Sequence, residues 1–226
     1  PAGLPQVASA QIHASVVPEI AASVAGFAQS ARRENGLYAL VDVGATTLDL
    51  STFNLHPDRE GDDHLSVLLA DVQRFGIEPY RACAADPRWD QPFRRQAGIT
   101  IRHVIWETRL RRDPNSGRWG EGNVLPVFVT GGGAGSDLHG AVFGSLDAWL
   151  RQHSAKRGGV ELRPLDAIEG LDIDHRACDL GRLIVASGLS LPAEEVPAVT
   201  LPGAISDADL PALRDNEDAF VGKEQV

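Results

Sequence analysis

Asp42 and Asp49 flank the small-residue run Gly44-Ala45-Thr46-Thr47, with Leu40-Val41 on one side and Leu48-Leu50 on the other. A carboxylate at each end of such a turn presents negative charge to a metal or a water, while the backbone amides of small residues can approach an anion closely. Two further segments carry the residue types of a ligand site. Glu19 follows Pro18 at the start of an alanine-rich apolar stretch, and Gly131-Gly132-Gly133 follows the buried-looking run Val127-Phe128-Val129-Thr130. The bland alternative for the Asp-bearing turn is a tight hairpin in which Asp side chains cap the backbone.

The elements that must position these residues can be read from apolar periodicity. Gln11 to Val17 reads as a strand leading through Pro18 into a helix from Glu19 to Arg33, with Ile20, Val24 and Phe27 at helical spacing and Gly36 as its stop. Leu37 to Val43 and Leu48 to Phe53 read as paired strands, and His64 to Asp71 as a third, with Leu65, Val67 and Leu69 alternating onto one face. Phe93 to Arg112 reads as a helix facing inward through Ile101, Val104, Ile105 and Thr108. Val124 to Thr130 is a buried strand that passes through the glycine turn into a helix from Ser136 to Gln152. Val160 to Leu165 is an edge strand, and Asp179 to Gly188 a short helix. Strands interleaved with helices predict an α/β fold with a mixed sheet. The expected organisation is a core subdomain from residues 1–71 and 123–192, an inserted Arg-rich subdomain at 72–122, and a flexible or surface-draped tail at 193–226.

Composition narrows the functional classes. A chain of 226 residues with 43% hydrophobic content can bury a substantial core. The balance of 21 Lys and Arg against 31 Asp and Glu, a formal charge of -10, argues against nucleic acid or an anionic membrane face as a general partner. No run is long and apolar enough for a membrane helix. Cys83 and Cys178 have no companion ligand spacing, which points to a reducing, cytoplasmic setting. The seven histidines show no paired metal spacing, and no serine has the setting of a hydrolase nucleophile. The chain begins at Pro1 and contains no Met, which reads as a piece of something longer.

Taken in order, Pro18-Glu19-Ile20-Ala21-Ala22-Ser23, then Val41-Asp42-Val43-Gly44-Ala45-Thr46-Thr47-Leu48-Asp49, then Val127-Phe128-Val129-Thr130-Gly131-Gly132-Gly133-Ala134 resemble the second lobe of the ATPase domain shared by actin, sugar kinases and heat-shock chaperones. The chaperone-like and plasmid-segregation branches are the nearer ones. The resemblance implies a ribonuclease-H-like lobe that binds ATP with Mg2+. It implies that Asp42 and Glu19 serve the metal and the attacking water, and that Gly44, Ala45, Thr46 and Thr47 face the phosphates, with the Thr47 hydroxyl on a phosphate oxygen. Gly131, Gly132 and Gly133 would lie against adenosine, with Glu107 and Arg111 as its far wall. Ala45 and Thr46 stand where these relatives more often carry glycine. The first phosphate hairpin of the superfamily has no counterpart in the chain, so a missing first lobe or a partner protein would complete the site, with self-assembly as a further expectation. The alternative is a non-catalytic scaffold that keeps the lobe fold.

Overall fold

In the computed structural model the described residues are 16–153, 158–165 and 180–202. They form six strands and five helices: α1 (Glu19–Gln29), β1 (Gly36–Val43), β2 (Leu48–Pro57), β3 (Asp63–Gln73), α2 (Ile77–Ala84), α3 (Pro87–Glu107), β4 (Val124–Thr130), α4 (Asp137–His153), β5 (Gly159–Arg163), α5 (Leu180–Leu189) and β6 (Ala198–Thr200). The sheet order is β5-β4-β1-β2-β3-β6. Within it β1, β2 and β3 form an antiparallel meander, while β4 runs parallel to β1, β5 to β4 and β6 to β3. A three-strand meander extended through β1 by parallel strands, with helices flanking it, is a mixed α/β sheet of the kind expected from the sequence.

Alternation along β1 sends its side chains into two cores. Leu37, Ala39, Val41 and Val43 pack with α3 and α4 residues including Ile101, Val104, Ile105 and Leu146. Tyr38 and Leu40 face the other way, with Phe27 of α1, Phe128 of β4 and Ile184 of α5. The sheet is therefore covered on both faces, and its central strand reads as the near-continuous apolar run that such burial requires. On the second face the Tyr38 ring stacks on Phe128 at 5.4 Å and on Phe53 at 5.8 Å. The Tyr38 hydroxyl is satisfied by donating to the Glu34 carbonyl at 2.8 Å. On that face α5 lies directly against α1, because Gly188 has no side chain: a Cβ there would fall 2.6 Å from the Ala22 carbonyl carbon.

The differences from expectation have local causes. An extra residue in β3 shifts its register against β2 between Thr52 and Phe53, so Leu65 and Val67 face α1 while Leu69 packs on the α3 side. A bulge of this kind breaks the period-two pattern that placed all three on one face. Helix α3 begins at Pro87, six residues before the expected start, because the Asp86 carboxylate caps it by accepting from the Arg88 amide and a proline suits a first helical position. Pro92 lies inside it, and Thr108–Arg112 continue as a π-helical turn. Within the segment expected as an insertion, Tyr80, Ala97, Ile101, Val104 and Trp119 share one core with β1, β4 and α4. From the tail, Ala198–Thr200 adds the sixth strand. The strand expected at 11–17 lies mostly outside the described residues, and Val16 and Val17 have no regular structure.

Candidate functional site

The carboxyl ends of the parallel neighbours β1 and β4 meet at the same edge of the sheet as the β1–β2 turn. Asp42 is in register with Asp49 across the antiparallel pair and with Thr130 across the parallel pair. All three lie on the α1–α5 face, where Thr130 Oγ1 and the Gly131 amide donate to the Gly181 carbonyl near the start of α5, at 3.1 and 3.2 Å. Ligands in open α/β sheets bind beyond the carboxyl ends of the strands, which is where these groups converge.

Asp42 is half-buried, and its pKa rises to about 6. Desolvation by burial is the main cause, with repulsion from Glu19 and then Asp49 adding to it. Glu19, exposed in the first turn of α1, is thus close enough to act on Asp42. Asp49 Oδ1 is buried and has no hydrogen-bond partner among the described residues. A solvent-shielded carboxylate oxygen without a donor, facing a second carboxylate, suits a cation or a protonated neighbour. Among the described residues, however, no group of three or more His, Cys, Asp or Glu is arranged to hold a metal ion. The fit is to a hard cation that keeps several of its waters and takes one or two carboxylates, the usual behaviour of Mg2+.

The turn itself has an unusual distribution of backbone bonds. Gly44 donates to the Thr47 carbonyl at 2.9 Å and closes the loop. Behind it, the amides of Gly76, Ile77 and Glu78 donate to the carbonyls of Thr46, Gly44 and Ala45 at 3.2, 3.1 and 2.8 Å. The carbonyls are thus occupied by the N-terminal turn of α2. The amides of Ala45, Thr46 and Thr47 make no hydrogen bond among the described residues, and Ala45 and Thr46 are exposed. Three successive unpaired amides with their carbonyls held on the other side can receive an anion's oxygens. The close backing depends on Gly76, where a Cβ would come 2.6 Å from the Thr47 nitrogen.

The glycine turn after β4 packs against this arrangement. Gly131 has φ +88°, and a Cβ on it would overlap Asp42 Oδ1 and lie 2.7 Å from the Val43 carbonyl carbon. Gly133 is buried; it donates its amide to the Val43 carbonyl at 2.9 Å, and a Cβ there would press on Val43 and Ile77. Two of the three glycines therefore admit the end of β1, and Gly132 is the exposed one. Sequence reasoning found the glycines but not this partner, since a contact between residues 42 and 131 leaves no local pattern.

The structure brings Asp42, Asp49, Glu19, the 44–47 turn and Gly131–Gly133 together. It does not bring Glu107 and Arg111 there. They pair with each other at 3.1 Å at the end of α3. The residues around them face the half of β2 leading away from the turn: Thr108 bonds Thr52, and Asp113 accepts from Asn54. A polar concavity lies elsewhere. Arg33, Asp58, Asp63, Glu194 and Glu195 line it, beside the β2–β3 loop at the opposite end of the sheet. Gly76–Glu78, which hold the turn from behind, were missed in the sequence, because nothing in their types marks them as partners of residues 44–46.

Fold and geometry together describe an α/β unit with a mixed sheet covered on both faces and a turn of unpaired amides beside two carboxylates. No family model matches the chain, and no curated protein matches it. Among solved structures, one described as the PilM-PilN type IV pilus biogenesis complex aligns at a TM-score of 0.46 and 17% identity, over 76% of this chain and 50% of that chain. The chain thus spans about half the length of that neighbour. No helix among the described residues is long and apolar enough to cross a membrane.

Proposed function

We propose that the chain is a nucleotide-binding lobe of the actin-like ATPase type, which takes the phosphates of ATP, with Mg2+, on the turn 44–47 and is completed by a second lobe from another segment or a partner protein. The observation that carries this reading is the set of unpaired amides at Ala45, Thr46 and Thr47, held open by α2 beside Asp42. When bound, Mg2+ would neutralise phosphate charge. Asp42, with Glu19 and Asp49 near it, would hold the water that the cation keeps, or orient a water toward the terminal phosphate. The turn amides would donate to phosphate oxygens, with the Thr47 hydroxyl alongside. Gly132 would allow the remainder of the nucleotide to lie near the chain. Burial, and then repulsion from Glu19 and Asp49, raises the Asp42 pKa to about 6, and a bound cation would bring it down again.

The second reading is a scaffold or assembly domain that keeps the lobe without turnover. It is favoured by Ala45 and Thr46 in place of glycine, and by the absence among the described residues of a three-ligand metal group. Calorimetry of ATP titrated into the full chain with and without Mg2+ separates the two. The nucleotide reading expects binding that Mg2+ strengthens, and loss of that strengthening in Asp42→Asn. An intact fold that gives no heat with ATP favours the scaffold.

A further inference from the structure

The turn lies among three carboxylates, so a polyphosphate arriving there needs a positive group supplied by the protein. Resting on the nucleotide-lobe reading above, we infer that Arg74 is that group and that it sets the specificity of the turn for a multiply charged phosphate chain. In the β2–β3 pairing, Leu48 is opposite Gln73, where β3 ends, and Arg74 is the first residue of the bend that follows. Two residues further on, Gly76 donates to the Thr46 carbonyl at 3.2 Å, so the segment carrying Arg74 runs alongside the turn.

Val72 is opposite Asp49 and shares its face with Asp42. β3 ends at Gln73, the Phe75 amide donates to the Gln73 carbonyl at 2.9 Å, and Phe75 packs on the α3 side, so the chain turns at Arg74 next to the 44–47 turn. Arg74 is exposed and makes no ion pair or hydrogen bond among the described residues, although Asp49 Oδ1 on that face has no partner either. The two are therefore not consumed by each other. A guanidinium matches two phosphate oxygens in one plane, which a lone ammonium does not. The turn amides and Arg74 approach the anion from different directions, so the protein grips the phosphate chain rather than a single phosphate. A diphosphate or triphosphate gains from both, whereas a monophosphate reaches one of them. The predicted ligand preference is a diphosphate or triphosphate over a monophosphate.

Calorimetry on the full chain tests this with two probes, inorganic tripolyphosphate and ATP, each with and without Mg2+. Arg74→Gln is expected to weaken tripolyphosphate binding about tenfold or more, the usual scale of one charge-assisted bidentate contact, with Arg74→Lys intermediate. Arg59→Gln removes the same charge from the exposed β2–β3 loop at the far end of the sheet and is expected to leave both affinities within about twofold. Arg74→Gln binding within twofold of the unaltered chain overturns the assignment, and ATP binding that survives alongside leaves the nucleotide reading standing. Arg74-dependent tripolyphosphate binding, with ATP bound no more tightly, keeps the anion grip and removes the nucleoside. If neither probe binds the unaltered chain, both readings fall.

Discussion

Gly131→Ala is the substitution on which the geometry of the site bears most directly. At φ +88° an L-residue carries a backbone penalty of about 1–2 kcal/mol. The new methyl also has no room, since it would overlap Asp42 Oδ1 and sit 2.7 Å from the Val43 carbonyl carbon. Asp42 could swing aside, but the β1 backbone cannot without moving its ladder to β2 and β4. Forced overpacking of this kind costs roughly 1–3 kcal/mol. The sum is about 2–5 kcal/mol, a large part of the roughly 5–15 kcal/mol typical of a domain. For a chain of this size it corresponds to a fall in melting temperature of roughly 5–15 °C. The assay is thermal or urea unfolding followed by far-UV circular dichroism, with Gly135→Ala as the internal control. A Cβ at Gly135 would meet no atom within 4 Å, so that substitution is expected to change stability by under about 0.5 kcal/mol. A Gly131→Ala protein melting within about 2 °C of the control, a margin taken from that same scale, would refute the close approach of the glycine turn to Asp42.

The remaining predictions follow from single groups. Because the Asp42 pKa is raised from 3.8 to about 6, its ionisation opposes folding: its own contribution to stability is greatest below about pH 4, falls as the pH rises from there to about 6 and is level above that. The full shift corresponds to about 3 kcal/mol, and solvent screening of a half-exposed group leaves about 1–2 kcal/mol. Asp42→Asn in metal-free buffer is therefore expected to stabilise the fold by that amount at about pH 7.5 and to be near neutral at about pH 4, measured as urea midpoints. A pH-independent difference would contradict the assignment. In the buried pair at 2.6 Å, Thr108 already donates to the Val104 carbonyl at 2.9 Å, so Thr52 is the donor between them. Thr108→Val strands the Thr52 hydroxyl and is expected to cost about 1–3 kcal/mol, more than Thr52→Val, with the double variant recovering part of the loss. Equal costs for the two single variants would show that the roles are not divided this way.

How much of this was legible in the sequence depends on how far apart the deciding residues are. Strands β1, β2 and β4 were readable because each is buried on a regular pattern, from Leu37 to Val43 and from Val124 to Thr130. The shift at β3 was not, since a single inserted residue leaves composition unchanged while moving Leu69 to the other face. Strand β6 was hidden by its three-residue length and flanking prolines, which carry no period. The start of α3 was hard to place because Pro87 and Pro92 are of a type that ordinarily interrupts a helix, whereas the Asp86 cap makes the first of them a favourable beginning. At the site, the types and order of Glu19, Asp42, the small turn and the glycines were visible. Their mutual contacts were not, and Glu107 and Arg111 entered only through the resemblance, whereas their helix end faces the half of β2 leading away from the turn.

The backing of the 44–47 turn by Gly76, Ile77 and Glu78 has a consequence for how the lobe would respond to an occupant. The turn is ordered when the protein folds, so receiving an anion demands little further loss of freedom there. The same three bonds tether the turn to α2, and α2 packs on α3 through Tyr80 and Phe93, whose rings are 5.8 Å apart. A displacement of the turn would therefore be felt by the helical layer on the opposite side of the sheet.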